Sequence, residues 1–140
     1  MKPKIENIVK EKQLQNVRFI DYLPRDEYKR LLRAADVGLI NLSRKFTIPK
    51  IPSKAVSYME AGIPILAATD KNTDFGKMIE EIGAGLWCET GDLDSYSSNL
   101  EKLLTDTKLR ERIRERAMAF MKDNMTASYV FQRILAIDIA

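Results

Sequence analysis

Short apolar runs alternate with amphipathic stretches along this chain, and this alternation constrains the fold more than any other feature. Three runs, at Val37–Leu42, Ile63–Ala68 and Gly85–Cys88, carry no charged residue. Uncharged runs of this length are typical of strands that are covered on both faces. The intervening stretches have apolar residues at helical spacing, and strands joined through helices run parallel. We therefore expect an α/β fold built on a doubly wound parallel sheet with helices on both faces.

A fourth strand is predicted earlier in the chain, at Val17–Leu23, where β-branched and aromatic residues precede Pro24. An amphipathic stretch at Ile5–Leu14 comes before it, and no strand precedes that stretch. The prediction is thus a sheet of about four strands, truncated at its N-terminal side. A chain of 140 residues provides one hydrophobic core, so we expect a single domain over residues 1–140.

Helix boundaries follow from acidic first turns, caps and glycines. Asp92 is placed to cap one helix, while Gly62 and Gly83 each stand where a left-handed residue ends another. The predicted helices are Arg25–Ala35, Ser53–Ala61, Asp74–Ile82, Leu93–Leu104, Thr107–Asn124 and Ala127–Ile137.

Composition excludes several kinds of chemistry. The chain has no histidine, which rules out imidazole acid–base catalysis and His-ligated metal sites within it. Its one cysteine, Cys88, cannot form an intrachain disulfide, and no basic residue beside it in sequence would favour a thiolate. A net charge of +3 is too small to indicate nucleic-acid binding. We expect no metal, no cofactor and no nucleic-acid partner.

The N-terminal residues lack the apolar core of a signal peptide, and no window is long and apolar enough to span a membrane. A cytoplasmic location is therefore expected. A basic run at Lys108–Arg116 has an apolar stripe opposite it; a solvated face is the ordinary interpretation, and weak contact with an anionic membrane surface is the alternative.

Ligands of open α/β sheets lie beyond the C-terminal ends of the strands, where helix N-termini point. The loop after the Val37–Leu42 strand carries Arg44, Lys45 and Lys50 and leads to Ser53 and Lys54 at a helix start. Free backbone N–H groups, a hydroxyl and an ammonium at that position would suit a diphosphate. The alternative is that Ser53 only caps the helix and Lys54 is a solvated side chain.

Other candidate residues have simpler explanations. Asp70, Asp74 and Asp92 lie at strand ends or helix starts, where caps and turns account for carboxylates better than catalysis does. Trp87 is expected to pack in the core. No Gly-rich phosphate loop and no zinc spacing is present.

Several segments together resemble the C-terminal, donor-binding domain of GT-B glycosyltransferases, in particular those of family 4 (group 1). The resemblance runs from about Asn16 to the end and includes Val17–Pro24, then Tyr28 to Leu39, then Pro52-Ser53-Lys54 with Tyr58-Met59 and Ala61-Gly62-Ile63-Pro64, and finally Gly85-Leu86 followed by Gly91-Asp92.

The resemblance implies a Rossmann-like domain that faces a second, acceptor-binding domain across a cleft and binds a nucleotide-sugar without a metal. The backbone near Tyr22 and Leu23 would meet the base, and Ser53 and Lys54 would hold the diphosphate. Two glutamates of the family correspond to Pro49 and Ser57 here, and Ser57 could donate one hydrogen bond to a ribose hydroxyl.

The resemblance also implies that the acceptor domain and the first donor-domain strand are missing from this chain. Our leading hypothesis is therefore the donor-binding part of a retaining glycosyltransferase of capsular, lipopolysaccharide or other cell-envelope polysaccharide synthesis. The fragment alone would be inactive, and the full-length protein would be cytoplasmic or peripheral to the membrane's inner face. The alternatives are a non-catalytic α/β interaction module, favoured by Pro49 and Ser57, and last a flavodoxin-like signalling domain.

Overall fold

A three-stranded parallel sheet in the order β1-β2-β3 forms the centre of the protein. The computed structural model describes residues 2–45 and 51–136, so Pro49 and Lys50 lie outside the described residues. The elements are α1 (Lys2–Glu11), α2 (Arg25–Arg33), β1 (Gly38–Asn41), α3 (Ser53–Ala61), β2 (Ile65–Thr69), α4 (Phe75–Ile82), β3 (Gly85–Glu89), α5 (Leu93–Thr105), α6 (Thr107–Asn124) and α7 (Ala127–Leu135).

Helices cover both faces of the sheet, as predicted. All five residues of β2 are buried, and its first three alternate between two apolar clusters. Ile65 and Ala67 pack with residues of α3 and α4 on one face, whereas Leu66 packs with residues of α5 on the other. The long helix α6 contributes to both clusters through Ala117 and Ile113. The doubly wound α/β prediction is therefore confirmed.

The sheet has three strands within the described residues, so the prediction of about four was wrong by one. Val17–Leu23 has no regular secondary structure, and most of it is exposed. A strand is stabilised by a neighbour that accepts and donates its backbone hydrogen bonds, and these residues pair with none of the three strands. Their β-forming composition alone is not sufficient.

Glycines mark the ends of two helices as the sequence predicted. Gly62 ends α3 at φ 68° and Gly83 ends α4 at φ 73°, both in the left-handed region that favours glycine. The Asp92 side chain caps α5 by accepting a hydrogen bond from the Ser95 amide at 3.0 Å. None of the helices in residues 2–45 and 51–136 is both long and apolar enough to cross a membrane.

Candidate functional site

The C-terminal ends of the three parallel strands share one edge of the sheet. Leu42 follows β1, Asp70 follows β2 and Thr90 follows β3 by the strand register. Helices α3, α4 and α5 begin at the same edge, because each returns from the strand before it. This edge therefore combines loop side chains with helix N-termini, which is the arrangement that binds ligands in open α/β sheets.

The start of α3 is exposed and has no side-chain cap. Pro52 is the N-cap residue, with φ −60° and ψ 132°, and Ser53 is the first helical residue. The alternative in which Ser53 caps the helix is wrong in that half, because Pro52 occupies the capping position. Its other half, Lys54 as a solvated side chain, agrees with the exposure of Lys54. Ser53 and Lys54 are both exposed, so their backbone N–H groups and the Lys54 ammonium face solvent at the positive end of the helix dipole.

Arg44 joins the loops that follow β1 and β3. Its Nε donates a hydrogen bond to the Thr90 carbonyl oxygen at 2.6 Å, and its guanidinium lies against Gly91. Thr90 in turn donates its hydroxyl to the Leu42 carbonyl oxygen at 2.8 Å. The sequence indicated Arg44 as a loop cation but missed Thr90, whose only signal was its position directly after a strand.

Asp70 is a nearly buried carboxylate at the end of the central strand. Only 5% of the residue is exposed. Its Oδ1 accepts a hydrogen bond from the Asn72 amide at 2.8 Å, which closes an Asx turn as the sequence interpretation expected. Its Oδ2 is buried and has no hydrogen-bond partner within the described part of the chain. The sequence missed this unpaired oxygen.

Buried hydroxyls support the backbone of Asp70. Thr69 and Thr73 each donate a hydroxyl to the Asp70 carbonyl oxygen at 3.1 Å. The Trp87 indole Nε1 donates to the Thr69 hydroxyl oxygen at 2.9 Å. Trp87 is half-buried and packs against the core cluster, which confirms its predicted location. The Asp70 carbonyl is thus held by hydroxyls of β2 and of its own loop, and Trp87 of β3 in turn holds the Thr69 hydroxyl.

Ser57 lies away from this edge, in a groove of about 300 Å³ between α2 and α3. Arg25, Lys29 and Arg33 line the α2 side of the groove, and Glu60 lines the α3 side. Neither Tyr22 nor Leu23 is among its lining residues, and Tyr22 is 82% exposed. The structure therefore does not bring the three predicted nucleoside contacts together in one pocket.

Two side chains near the edge have shifted pKa values. Hydrogen bonds from Ser95 hold the pKa of Asp92 below its ordinary value, as expected for an N-cap carboxylate. Burial raises the pKa of the Cys88 thiol, and the negative charge of Asp92 adds to this effect. Cys88 is therefore a protonated core residue and not an activated nucleophile. No group of three or more potential metal-ligating side chains occurs among the residues that are described.

The three parallel strands and the helices on both faces define a doubly wound α/β domain whose helices α3, α4 and α5 begin at one edge of the sheet. Residues 1–120 match the family model described as "Glycosyl transferases group 1". Since the match covers more than half of the chain, the protein belongs to this family. The predicted resemblance is confirmed.

Individual relatives agree with this assignment. The chain is 35% identical over 82 residues to a probable glycosyltransferase, WbjE, of Pseudomonas aeruginosa; the match covers 59% of this chain and 20% of that protein. It resembles the C-terminal domain of a group 1 glycosyl transferase (LpcC) from Francisella tularensis, with a TM-score of 0.67, 20% identity, and coverage of 90% of this chain and 63% of that one.

A second solved structure, sucrose-phosphate synthase from Thermosynechococcus elongatus, has a TM-score of 0.63 and 18% identity and covers 96% of this chain and 34% of that one. At these identities the structural matches show the fold. The chain spans about a fifth of the length of its curated relative.

Proposed function

We propose that this chain is the donor-binding part of a retaining glycosyltransferase and that it binds a nucleotide-sugar at the C-terminal edge of its sheet. The observation that carries the proposal is the exposed first turn of α3, where Ser53 and Lys54 follow an N-cap residue without a capping side chain. Family membership supports a nucleotide-sugar as the ligand.

The first turn of α3 suits the diphosphate. Backbone N–H groups at a helix start donate to phosphate oxygens, and the helix dipole favours their negative charge. The Lys54 ammonium and the Ser53 hydroxyl add two side-chain donors. Arg44 uses Nε to bind Thr90, and its remaining guanidinium N–H groups are placed at the same edge.

The nucleoside would extend from the diphosphate towards α2. Ser57 on α3 lines the groove beside α2 and would donate to a ribose hydroxyl. Tyr22 and Leu23 lie outside that groove, directly before α2, and would meet the base through their backbone at its entrance. The cations that line this groove would add favourable charge for the adjoining phosphate.

In the whole protein, this part would act with an N-terminal acceptor-binding domain to transfer the sugar with retention of configuration. Its contribution would be positioning of the donor and stabilisation of the departing diphosphate, without a metal or cofactor. The similarity to WbjE, a probable glycosyltransferase, supports glycosyl transfer. The proposal extends this to capsular, lipopolysaccharide or other cell-envelope polysaccharide synthesis, at a cytoplasmic site or at the membrane's inner face.

Isothermal titration of the chain with UDP, GDP and their sugar derivatives tests donor binding. We expect one nucleotide to bind, and Lys54→Ala to weaken its affinity by about tenfold, since one charge-assisted hydrogen bond is lost. Lys102→Ala is the matched control: it removes one exposed ammonium from the last turn of α5, at the opposite edge, and should leave the affinity unchanged.

The second candidate is a non-catalytic α/β interaction module. It is favoured by the absence of carboxylates at Pro49 and Ser57, where the family resemblance places two glutamates. A folded chain that binds none of the nucleotides would refute donor binding by this chain and support the module.

A further inference from the structure

The groove between α2 and α3 combines cations with a carboxylate. Arg25, Lys29 and Arg33 line its α2 side. They are spaced four residues apart, so they share one face of the helix. Glu60 lines the α3 side. The ion pairs found among the described residues include none of these four side chains. A ligand in the groove can therefore accept hydrogen bonds from one helix and donate them to the other.

The rest of the groove is apolar and aromatic. Leu32 is 8% exposed, and the Tyr28 ring and Ala61 are partly buried beside it. A planar heterocycle packs well against walls of this kind. The volume of about 300 Å³ is at the lower end of the range for small-molecule sites. The groove thus has a surface for the face of a flat ring and polar groups for its edges.

The spacing of three α3 residues relates the groove to the diphosphate position proposed above. Ser53, Ser57 and Glu60 are separated by four and three residues, so they lie on one face of the helix. Ser57 is about 6 Å and Glu60 about 10 Å along the axis from Ser53, at 1.5 Å per residue. Helical side chains lean towards the N-terminus, which directs the Glu60 carboxylate back towards Ser57 in the same groove. A nucleotide with its diphosphate at Ser53 and its ribose at Ser57 therefore meets Glu60 with the edge of its base.

Guanine matches this combination of polar groups better than the other bases do. Its O6 and N7 are the acceptors that Arg and Lys bind. Its N1–H and N2–H donors lie side by side and suit the two oxygens of one carboxylate. Uracil has one N–H between two carbonyl oxygens, which a carboxylate repels. Adenine has an amino group where guanine has O6, and cytosine has only its amino group to offer a carboxylate.

We propose that the groove between α2 and α3 binds guanine and that Glu60 selects it by accepting hydrogen bonds from N1–H and N2–H, while the α2 cations donate to O6 and N7. This inference rests on the proposed function and names the donor as a GDP-sugar. A site built to hydrogen-bond one ligand rejects analogues that leave its polar groups unpaired. Glu60 is a binding residue that sets base specificity.

Calorimetric titrations with GDP, UDP, ADP and CDP test this selection. We expect the unaltered chain to bind GDP about tenfold or more tightly than the other three. Glu60→Gln keeps the length of the side chain but replaces one acceptor oxygen by an amide donor, which opposes a guanine N–H. We expect it to weaken GDP binding by about ten- to a hundredfold and to leave UDP binding unchanged.

The matched control is Glu27→Gln. Glu27 is exposed on α2 and does not line the groove, so the substitution removes the same charge from a neighbouring position. It should change no affinity.

Inosine diphosphate tests the carboxylate contact at the level of one atom. It retains O6, N7 and N1–H of guanine but lacks the N2 amino group, so it forms one hydrogen bond fewer with Glu60. We expect the unaltered chain to bind it about tenfold more weakly than GDP. In Glu60→Ala, where the carboxylate is absent, the two nucleotides should bind with equal affinity.

The outcomes separate guanine selection from donor binding. If UDP, ADP or CDP binds as tightly as GDP, if Glu60→Gln and Glu27→Gln change the GDP affinity equally, or if the unaltered chain does not distinguish inosine diphosphate from GDP, the role of Glu60 is overturned and donor binding stays intact. A folded chain that binds no nucleotide would overturn donor binding, and guanine selection with it.

Discussion

Arg110 lies at the C-terminal end of α5, where its Nη1 donates hydrogen bonds to the carbonyl oxygens of Leu103 and Leu104, both at 2.8 Å. A cation at this position satisfies carbonyl groups that have no partner within the helix and complements the negative end of the dipole. Arg110 belongs to α6, and two further arginines of α6, Arg114 and Arg116, lie against Gly62 and Gly83, the C-caps of α3 and α4.

The basic run of α6 therefore contacts the C-terminal ends of three helices, α3, α4 and α5. This accounts for three of its arginines by packing and capping within the domain, which the sequence interpretation of a solvated face did not include. Contact of this helix with an anionic membrane surface stays a prediction.

Replacement of Arg110 by alanine should destabilise the domain. The change removes two hydrogen bonds from a charged donor and exposes two carbonyl groups at the end of α5, which we expect to lower the free energy of unfolding by about 1–2 kcal/mol. Urea denaturation followed by circular dichroism measures the change. The control is Arg112→Ala. Arg112 is exposed on α6 and makes no hydrogen bond within the described residues, so the free energy of unfolding of this variant should stay within about 0.5 kcal/mol of that of the unaltered chain. Equal effects of the two substitutions would show that the capping geometry is unimportant.

Gly76 leaves no room for a side chain, because a Cβ there would overlap the indole of Trp87. We expect Gly76→Ala to lower the free energy of unfolding by about 1–3 kcal/mol through overpacking. Trp87 is the single tryptophan, so a shift in its fluorescence maximum would report displacement of the ring directly. Lys77→Ala, at the next and exposed position of α4, is the control and should leave both the stability and the spectrum unaltered. An unchanged spectrum in Gly76→Ala would contradict the overlap.

The cap of α5 should make stability depend on pH in the acidic range. Hydrogen bonds from Ser95 lower the pKa of Asp92 in the folded state, so its contribution is present above the ordinary aspartate value of 3.8 and is lost as the pH falls through the lower, folded value. In Asp92→Asn, the difference in urea midpoint between neutral pH and about pH 3 should be smaller than in the unaltered chain. Asp94→Asn, an exposed substitution in the first turn of the same helix, is the comparison. If the urea midpoint of Asp92→Asn changes between neutral pH and about pH 3 as much as that of the unaltered chain, the cap does not contribute to the pH dependence.

Local patterns predicted the helices well, because helical hydrogen bonds and caps connect residues close in sequence. Thr107–Asn124 was predicted with the bounds that the structure shows, and Asp92 was correctly identified as a cap. The strand predicted at Val17–Leu23 failed because strand formation depends on a partner elsewhere, which composition does not reveal.

Some residues of the candidate site could likewise be predicted from the sequence, and others could not. Ser53 and Lys54 could be placed from sequence because a loop and a helix start determine their position at the sheet edge. The burial of the unpaired Oδ2 of Asp70 could not be predicted from the sequence, because it depends on segments that only folding brings together.

Cys88 should be unreactive in the folded chain. It is 4% exposed on β3, and burial together with the charge of Asp92 raises its pKa, so both access and thiolate fraction are low. We expect a thiol reagent such as 5,5′-dithiobis(2-nitrobenzoate), at mildly alkaline pH, to label the native chain much more slowly than the chain unfolded in urea. The unfolded chain is the internal control, because its single thiol reports full reactivity. Addition of a stabilising nucleotide should slow native labelling further if reaction requires opening of the sheet. Rapid labelling of the native chain would show that β3 is accessible and that Cys88 is not a core residue.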